Sequence, residues 1–136
     1  MRRIVLYVED DDVAYKLFGF ALKEAKLDTQ IHRASDGEQA LKFLRRANGY
    51  QDAPRPELIL MDLNLPKRNG FDVLSEIKAS ESLRSIPVII FSSSSLASDK
   101  ARSLTLGAED FVTKPSSLDL FVDALKSAFH ADSSFD

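Results

Sequence analysis

Cysteine is absent from the 136-residue chain. That removes disulfide frameworks, thiol nucleophiles and thiolate metal sites together, so any metal chemistry must run through oxygen or histidine. Long hydrophobic runs are also missing. No stretch approaches the roughly 20 apolar residues of a membrane-spanning helix, and the first apolar run, Ile4 to Val8, is too short for a secretory signal core, so a cytoplasmic protein without a membrane contact is expected. Positive charge is not in excess, since 18 Lys and Arg against 21 Asp and Glu leave a net charge of -3. Without a basic field for phosphate backbones, nucleic acid is not an expected partner. There is no serine–histidine pair, glycine-rich phosphate loop or CxxC motif, and His32 and His130 stand apart from the polar clusters described below. What remains is ordinary in bulk: 44% hydrophobic and 29% charged residues are the composition of a soluble globular domain. The length fits one domain, placed at residues 1–130 with a short C-terminal tail at 131–136.

Short apolar runs recur along the chain at Ile4–Val8, Thr29–His32, Leu58–Met61, Val88–Phe91 and Asp110–Thr113. Several are continuously apolar, as strands covered by helices on both faces require, so a parallel sheet is expected. Helical spacing fills the intervals. Ala14, Leu17, Phe18, Ala21, Leu22 and Ala25 follow the acidic start Asp11-Asp12, and Ala40, Leu41, Phe43 and Leu44 follow Ser35-Asp36-Gly37-Glu38 and stop before Asn48-Gly49. Phe71, Val73, Leu74 and Ile77 follow Asn69-Gly70; Ala97, Ala101, Leu104 and Leu106 end at Gly107; Leu118, Phe121, Val122, Leu125 and Phe129 predict a fifth helix. Alternation of strand and helix predicts an α/β fold, a doubly wound five-stranded parallel sheet with right-handed crossovers. Pattern alone leaves the strand order open. In such folds ligands bind beyond the carboxyl ends of the strands, beside the switch point in strand order.

Those ends carry Glu9-Asp10, Asp62, Ser92 and Lys114. Each alone has a structural explanation: an acidic first helical turn, a turn after a strand, a helix-capping serine run and a solvated loop lysine. Together they do not. At about 4 Å and an effective dielectric of about 20, each like-charge pair among Glu9, Asp10 and Asp62 costs roughly 4 kcal/mol, so counter-charges must be present. Lys114 offers one, and an acidic, oxygen-only pocket suits Mg²⁺, which binds through one or two carboxylates and keeps several waters. With two cations gathered there, the central carboxylate, Asp62, can attack phosphorus and form an aspartyl phosphate. Phosphoryl transfer then needs its equatorial oxygens neutralised: Mg²⁺ takes one, the Lys114 ammonium a second, and the Ser92 hydroxyl, with a Ser93 backbone N–H, a third.

The segments Val8-Glu9-Asp10-Asp11, Leu58-Ile59-Leu60-Met61-Asp62-Leu63-Asn64-Leu65-Pro66, Asn69-Gly70-Phe71, Pro87-Val88-Ile89-Ile90-Phe91-Ser92 and Gly107-Ala108-Glu109-Asp110-Phe111-Val112-Thr113-Lys114-Pro115 resemble, in order, the motifs of the response-regulator receiver family of two-component signalling. The likeness runs from Arg3 to about Phe129. It implies a flavodoxin-like (βα)5 fold with strand order 2-1-3-4-5. It implies a stand-alone phosphoacceptor signalling protein rather than an enzyme, taking a phosphoryl group from a histidine kinase onto Asp62 with Mg²⁺ as cofactor, and catalysing only its own phosphorylation and dephosphorylation. Asp10, Asp62 and the Asn64 backbone carbonyl would hold the metal, with Glu9 acting through water. Lys114 and Ser92 would act in the chemistry, Ser92 and Phe111 would form the switch, and the Lys114-Pro115 bond would be cis. The extended connection Ala47–Glu57 and the Leu63–Pro66 run resemble regulators that partner bacterial phytochrome kinases. Two departures stand out: Ser92 where threonine is more usual, and Phe111 where many members carry tyrosine.

Two other functions compete. An aspartyl-nucleophile phosphatase of the haloacid-dehalogenase kind would carry a second aspartate where this chain has Asn64. A degenerate receiver would act as a phosphorylation-independent interaction module, but no catalytic residue type is missing. With no effector domain after helix five, the output is expected to be a protein surface. Phe121 and Ala128 broaden the apolar face of that helix beyond the stripe of Leu118, Val122, Leu125 and Phe129, which predicts partner binding or a homodimer through helix four, strand five and helix five.

Overall fold

Runs of β-branched and large apolar side chains form five strands, and the amphipathic segments between them form helices. The computed structural model describes residues 3–94 and 96–114, with Asp119, Val122, Asp123 and Lys126 beyond them. The order is β1 (Arg3–Val8), α1 (Asp12–Ala25), β2 (Thr29–Ala34), α2 (Gly37–Arg45), β3 (Leu58–Met61), α3 (Gly70–Ala79), β4 (Val88–Ser92), α4 (Ala97–Thr105) and β5 (Asp110–Thr113). All neighbouring strands are parallel, in the order β2-β1-β3-β4-β5, the doubly wound arrangement expected. The fifth helix, the 131–136 tail and the Lys114-Pro115 bond fall on positions outside the described residues, apart from Asp119, Val122, Asp123 and Lys126, of which Val122 packs on the core beside α1. No helix among the described residues is long and apolar enough to cross a membrane.

Because side chains alternate along a strand, each central strand feeds two cores. Leu6, Val8, Ile59, Met61, Val88 and Ile90 face α2 and α3, where they meet Leu41, Leu44, Val73, Leu74 and Ile77. Val5, Tyr7, Leu58, Leu60, Ile89 and Phe91 face α1 and meet Phe18, Ala21 and Leu22. Burying each large aliphatic or aromatic side chain contributes about 1.5–3 kcal/mol, so these two layers dominate the fold's stability.

The helix ends follow sequence chemistry. Asp11 accepts from Val13 N at 2.9 Å, Asp36 from Gln39 N at 2.8 Å and Asn69 from Asp72 N at 3.0 Å, three side-chain caps on α1, α2 and α3. β1 starts one residue earlier and β4 ends one later than expected, and two further differences have a physical reason. β2 continues to Ala34, past the apolar pattern's end at His32, because Arg33 finds polar partners at the end of β1 rather than solvent. The spacing of Ala97, Ala101 and Leu104 does mark α4, but as an outward stripe: its buried residue is Ser103, whose hydroxyl donates to the Asp99 carbonyl, while Leu104 and Leu96 are 42% and 62% exposed.

Candidate functional site

The sheet's hydrogen-bond ladder runs one rung beyond the strands and fixes the backbone from which the site residues project. Glu9 N donates to Ala34 O at 2.9 Å, Asp62 N to Val8 O at 3.1 Å and Lys114 N to Ser92 O at 2.7 Å. Glu9, Asp62, Ser92 and Lys114 thereby come to one edge, where the order turns from β1 to β3.

Asp62 is buried. Its Oδ2 accepts from the Lys114 ammonium at 2.9 Å and its Oδ1 from the Asn64 backbone N–H at 3.2 Å. Leu63 and Leu65 tuck into the core on either side of exposed Asn64 and hold that loop in place. Glu9 is 1% exposed. Its Oε1 is contacted by the Lys114 ammonium and accepts the Tyr7 hydroxyl at 3.2 Å. Lys114 therefore bridges two carboxylates. Burial alone would lower its pKa, but the hydrogen bonds to Glu9 and Asp62 outweigh it and raise the value, so the ammonium stays charged. Burial raises the Glu9 carboxyl, a shift that Lys114 only partly offsets. Tyr7 is raised well above the ordinary phenol value by burial and then by the Glu9 charge, so it remains an O–H donor.

The acidic run divides by role. Asp11 caps α1 and Asp12 pairs with Arg33 at 2.7 Å, both structural tasks. Asp10 is exposed at the rim, with no ion pair among the described residues. Ser92 is fully buried, but its hydroxyl accepts from Ser94 N at 3.2 Å rather than bonding Asp62. Phe111 is buried in the core that faces α2 and α3. His32 lies away from the site, its ring 5.3 Å from that of Phe43.

Two buried carboxylates, Glu9 and Asp62, share one ammonium, and exposed Asp10 follows Glu9 at the rim, an excess of negative oxygen donors that fits a hard divalent ion. Among the described residues no three carboxylate or imidazole groups form a ready-made cage, so a bound ion would also draw on backbone carbonyl and water ligands. Asp10→Asn is expected to weaken Mg²⁺ binding more than Glu9→Gln, because one Glu9 oxygen is already occupied by two donors. The Glu9 change should cost about tenfold, as loss of an outer partner does. Metal titration finding the reverse order would exchange the two roles.

Three contributors escaped the sequence reading. Tyr7 has a visible signal, since it stands two residues before Glu9 and so shares its face. Arg33, paired in register with Tyr7, donates its Nε to the Glu9 carbonyl at 3.0 Å; nothing in a strand-ending arginine announces that. Gly70, read as part of a helix start and of a motif segment but given no role, lies against the Asp62 backbone: an added Cβ would come within 2.6 Å of the Asp62 carbonyl oxygen.

Comparison with known proteins agrees with this fold. The family model described as the response regulator receiver domain matches residues 5–126. The response regulator Rcp1 of Synechocystis sp. is 38% identical over 120 residues, covering 88% of this chain and 82% of Rcp1. Among solved structures, the phosphorylated cyanobacterial phytochrome response regulator RcpA superposes with a TM-score of 0.87 at 34% identity, covering 94% of this chain and 91% of RcpA. The Mn²⁺-bound form of Rcp1 gives a TM-score of 0.86 at 33% identity, covering 96% of each chain.

Proposed function

This chain belongs to the response regulator receiver family, and from that premise we propose that it accepts a phosphoryl group from a histidine kinase onto Asp62 and signals through the change that follows. The observation that carries this reading is the buried Asp62 carboxylate, held at the end of β3 by Lys114 and the Asn64 N–H beside the acidic pair. An Asp62 oxygen forms the new O–P bond while the N–P bond of the kinase phosphohistidine breaks; the bonding pair returns to the imidazole, which takes up a proton. The product is a mixed anhydride on Asp62. A divalent cation held by Asp10, Asp62, the Asn64 carbonyl and, through water, Glu9 would supply neutralisation of phosphoryl charge. Lys114 is placed to move from the Asp62 carboxylate to a phosphoryl oxygen. No separate substrate is turned over, so the protein is a phosphoacceptor rather than an enzyme. The likeness to phytochrome regulators makes a phytochrome-type kinase in the cytoplasm the favoured donor.

The switch has a path to the surface. Ser92 Oγ accepts from Ser94 N, which leaves its O–H to donate to the phosphoryl group, so a move of Ser92 toward that group pulls on Ser94. Ser94 is also tied to α4 through Asp99 at 2.6 Å and to β5 through Thr113, whose hydroxyl donates to the Ser94 carbonyl at 3.3 Å. Ser94 thus joins the phosphate site to the helix that exposes Leu96, Ala97, Ala101 and Leu104, an apolar face suited to a partner or to a second copy of this chain. Label transfer from an autophosphorylated phytochrome-type kinase tests the reading: transfer should require a divalent cation and stop on chelation. Ser92→Ala should accept label yet show smaller NMR shifts on β4 and β5 after phosphorylation. The full wild-type set of shifts in that variant would remove Ser92 from the switch.

A further inference from the structure

We propose that Tyr7 is a positioning residue for Glu9, its phenol holding the carboxylate in the orientation that serves a divalent cation, independently of Lys114. The inference rests on the reading of Glu9, Asp10 and Asp62 as a cation pocket. A buried tyrosine hydroxyl needs a partner, and strand periodicity points Val5, Tyr7 and Glu9 toward the same side of the sheet. Tyr7 is 0% exposed and gives its O–H to Glu9 Oε1 at 3.2 Å.

The two donors on that oxygen differ in freedom. Lys114 sits on a flexible four-carbon stem and has a second task at Asp62, whereas Tyr7 is locked in the middle of the sheet. Its ring centroid lies 4.2 Å from that of Phe18 and 6.1 Å from that of Tyr15. Tyr15 in turn lies 4.7 Å beneath the Arg33 guanidinium, the group that holds the Glu9 carbonyl. One fixed donor therefore holds the Glu9 backbone and another its side chain. When Lys114 turns to a phosphoryl oxygen, Glu9 Oε1 loses its charged partner and Tyr7 stays on it. Beyond Tyr7 the Glu9 carboxylate would keep, among the described residues, only the marginal contact from Asp11 N at 3.5 Å.

The test is Mg²⁺ titration of the full chain by ¹H–¹⁵N NMR, with melting temperatures measured alongside. Tyr7→Phe keeps the ring packing and should bind Mg²⁺ about fivefold more weakly, the effect of one hydrogen bond. In a Glu9→Gln background the same change should cause no further loss. Ile77→Val, in the core on the opposite face of the sheet, should lower the melting temperature while leaving Mg²⁺ affinity as it is. Unchanged affinity in Tyr7→Phe overturns the inference, as does an equal loss in the Glu9→Gln background, an equal loss from Ile77→Val, or a Tyr7→Phe chain that cannot fold. A wild-type chain that binds no Mg²⁺ overturns the pocket reading itself, and this inference with it; a wild type that binds beside an unaffected Tyr7→Phe overturns this inference alone.

Discussion

Lys114→Met is expected to slow phosphorylation of Asp62 by about 100-fold to 1000-fold, the usual consequence of removing one charged or hydrogen-bonding partner from developing transition-state charge. The same substitution should strengthen Mg²⁺ binding. In the folded protein the ammonium lies 2.9 Å from Asp62 and also contacts Glu9, so it competes electrostatically with any cation entering the pocket. Without it, the two carboxylates face each other uncompensated. The metal-free variant should then melt well below the wild type and recover more on Mg²⁺ addition than the wild type gains. The sign with pH follows from the raised Lys114 pKa: its stabilising charge is fully present below the ordinary lysine value and is lost as pH rises through the folded one. The wild type should therefore lose stability in strong alkali that Lys114→Met does not lose. Phosphorylation rate, Mg²⁺ titration and thermal melts read these effects separately, and a variant impaired in rate with weakened metal binding would show Lys114 holding the pocket's shape rather than supplying charge.

Gly70→Ala should be nearly as damaging, by a different route. The α3 start passes directly over the phosphoacceptor loop: a Cβ at Gly70 would meet the Asp62 carbonyl oxygen at 2.6 Å and Leu63 Cα at 2.7 Å. Both are backbone atoms, so no side-chain rotation relieves the overlap, and the loop carrying Asp62 and Asn64 must move. Overpacking of this kind costs about 1–3 kcal/mol, and displacement of the attacking carboxylate adds a loss of phosphorylation of about 100-fold. Gly19 is the internal control. It lies within α1 with nothing within 4 Å of an added Cβ, so Gly19→Ala should stabilise the protein by about 0.5–1 kcal/mol and leave phosphorylation intact. Denaturant unfolding of both variants, with phosphorylation measured in parallel, checks the opposite signs.

The contrast between these glycines shows where sequence reading stops. Strand positions were legible because apolar runs such as Leu58–Met61 and Val88–Phe91 admit few alternatives, and the polar residues after them fall where a parallel sheet gathers its strand ends. Helix starts were legible at Asp11, Asp36 and Asn69 because capping is local chemistry. What a single sequence did not show is contact between distant segments. Gly70 looked like a helix start until its approach to the Asp62 backbone was visible. Arg33 fell just past the strand expected at Thr29–His32, yet it reaches the Glu9 carbonyl. The spacing of Ala97, Ala101 and Leu104 identified a helix correctly but not the direction of its face, because periodicity reports a stripe and not what covers it. The acidic run from Glu9 to Asp12 is intermediate: the pattern already separated Glu9-Asp10 at the strand end from Asp11-Asp12 at the helix start, and the structure adds that Asp11 is the cap and Asp12 the partner of Arg33.

Intact-mass spectrometry after incubation with a small-molecule phosphodonor and Mg²⁺ tests the central claim most directly. The wild type should gain one phosphoryl group, lose the gain when the metal is chelated, and gain nothing when Asp62 is replaced by Asn. Equal labelling of Asp62→Asn, or labelling indifferent to the chelator, would contradict the assignment of Asp62 as a metal-assisted phosphoacceptor.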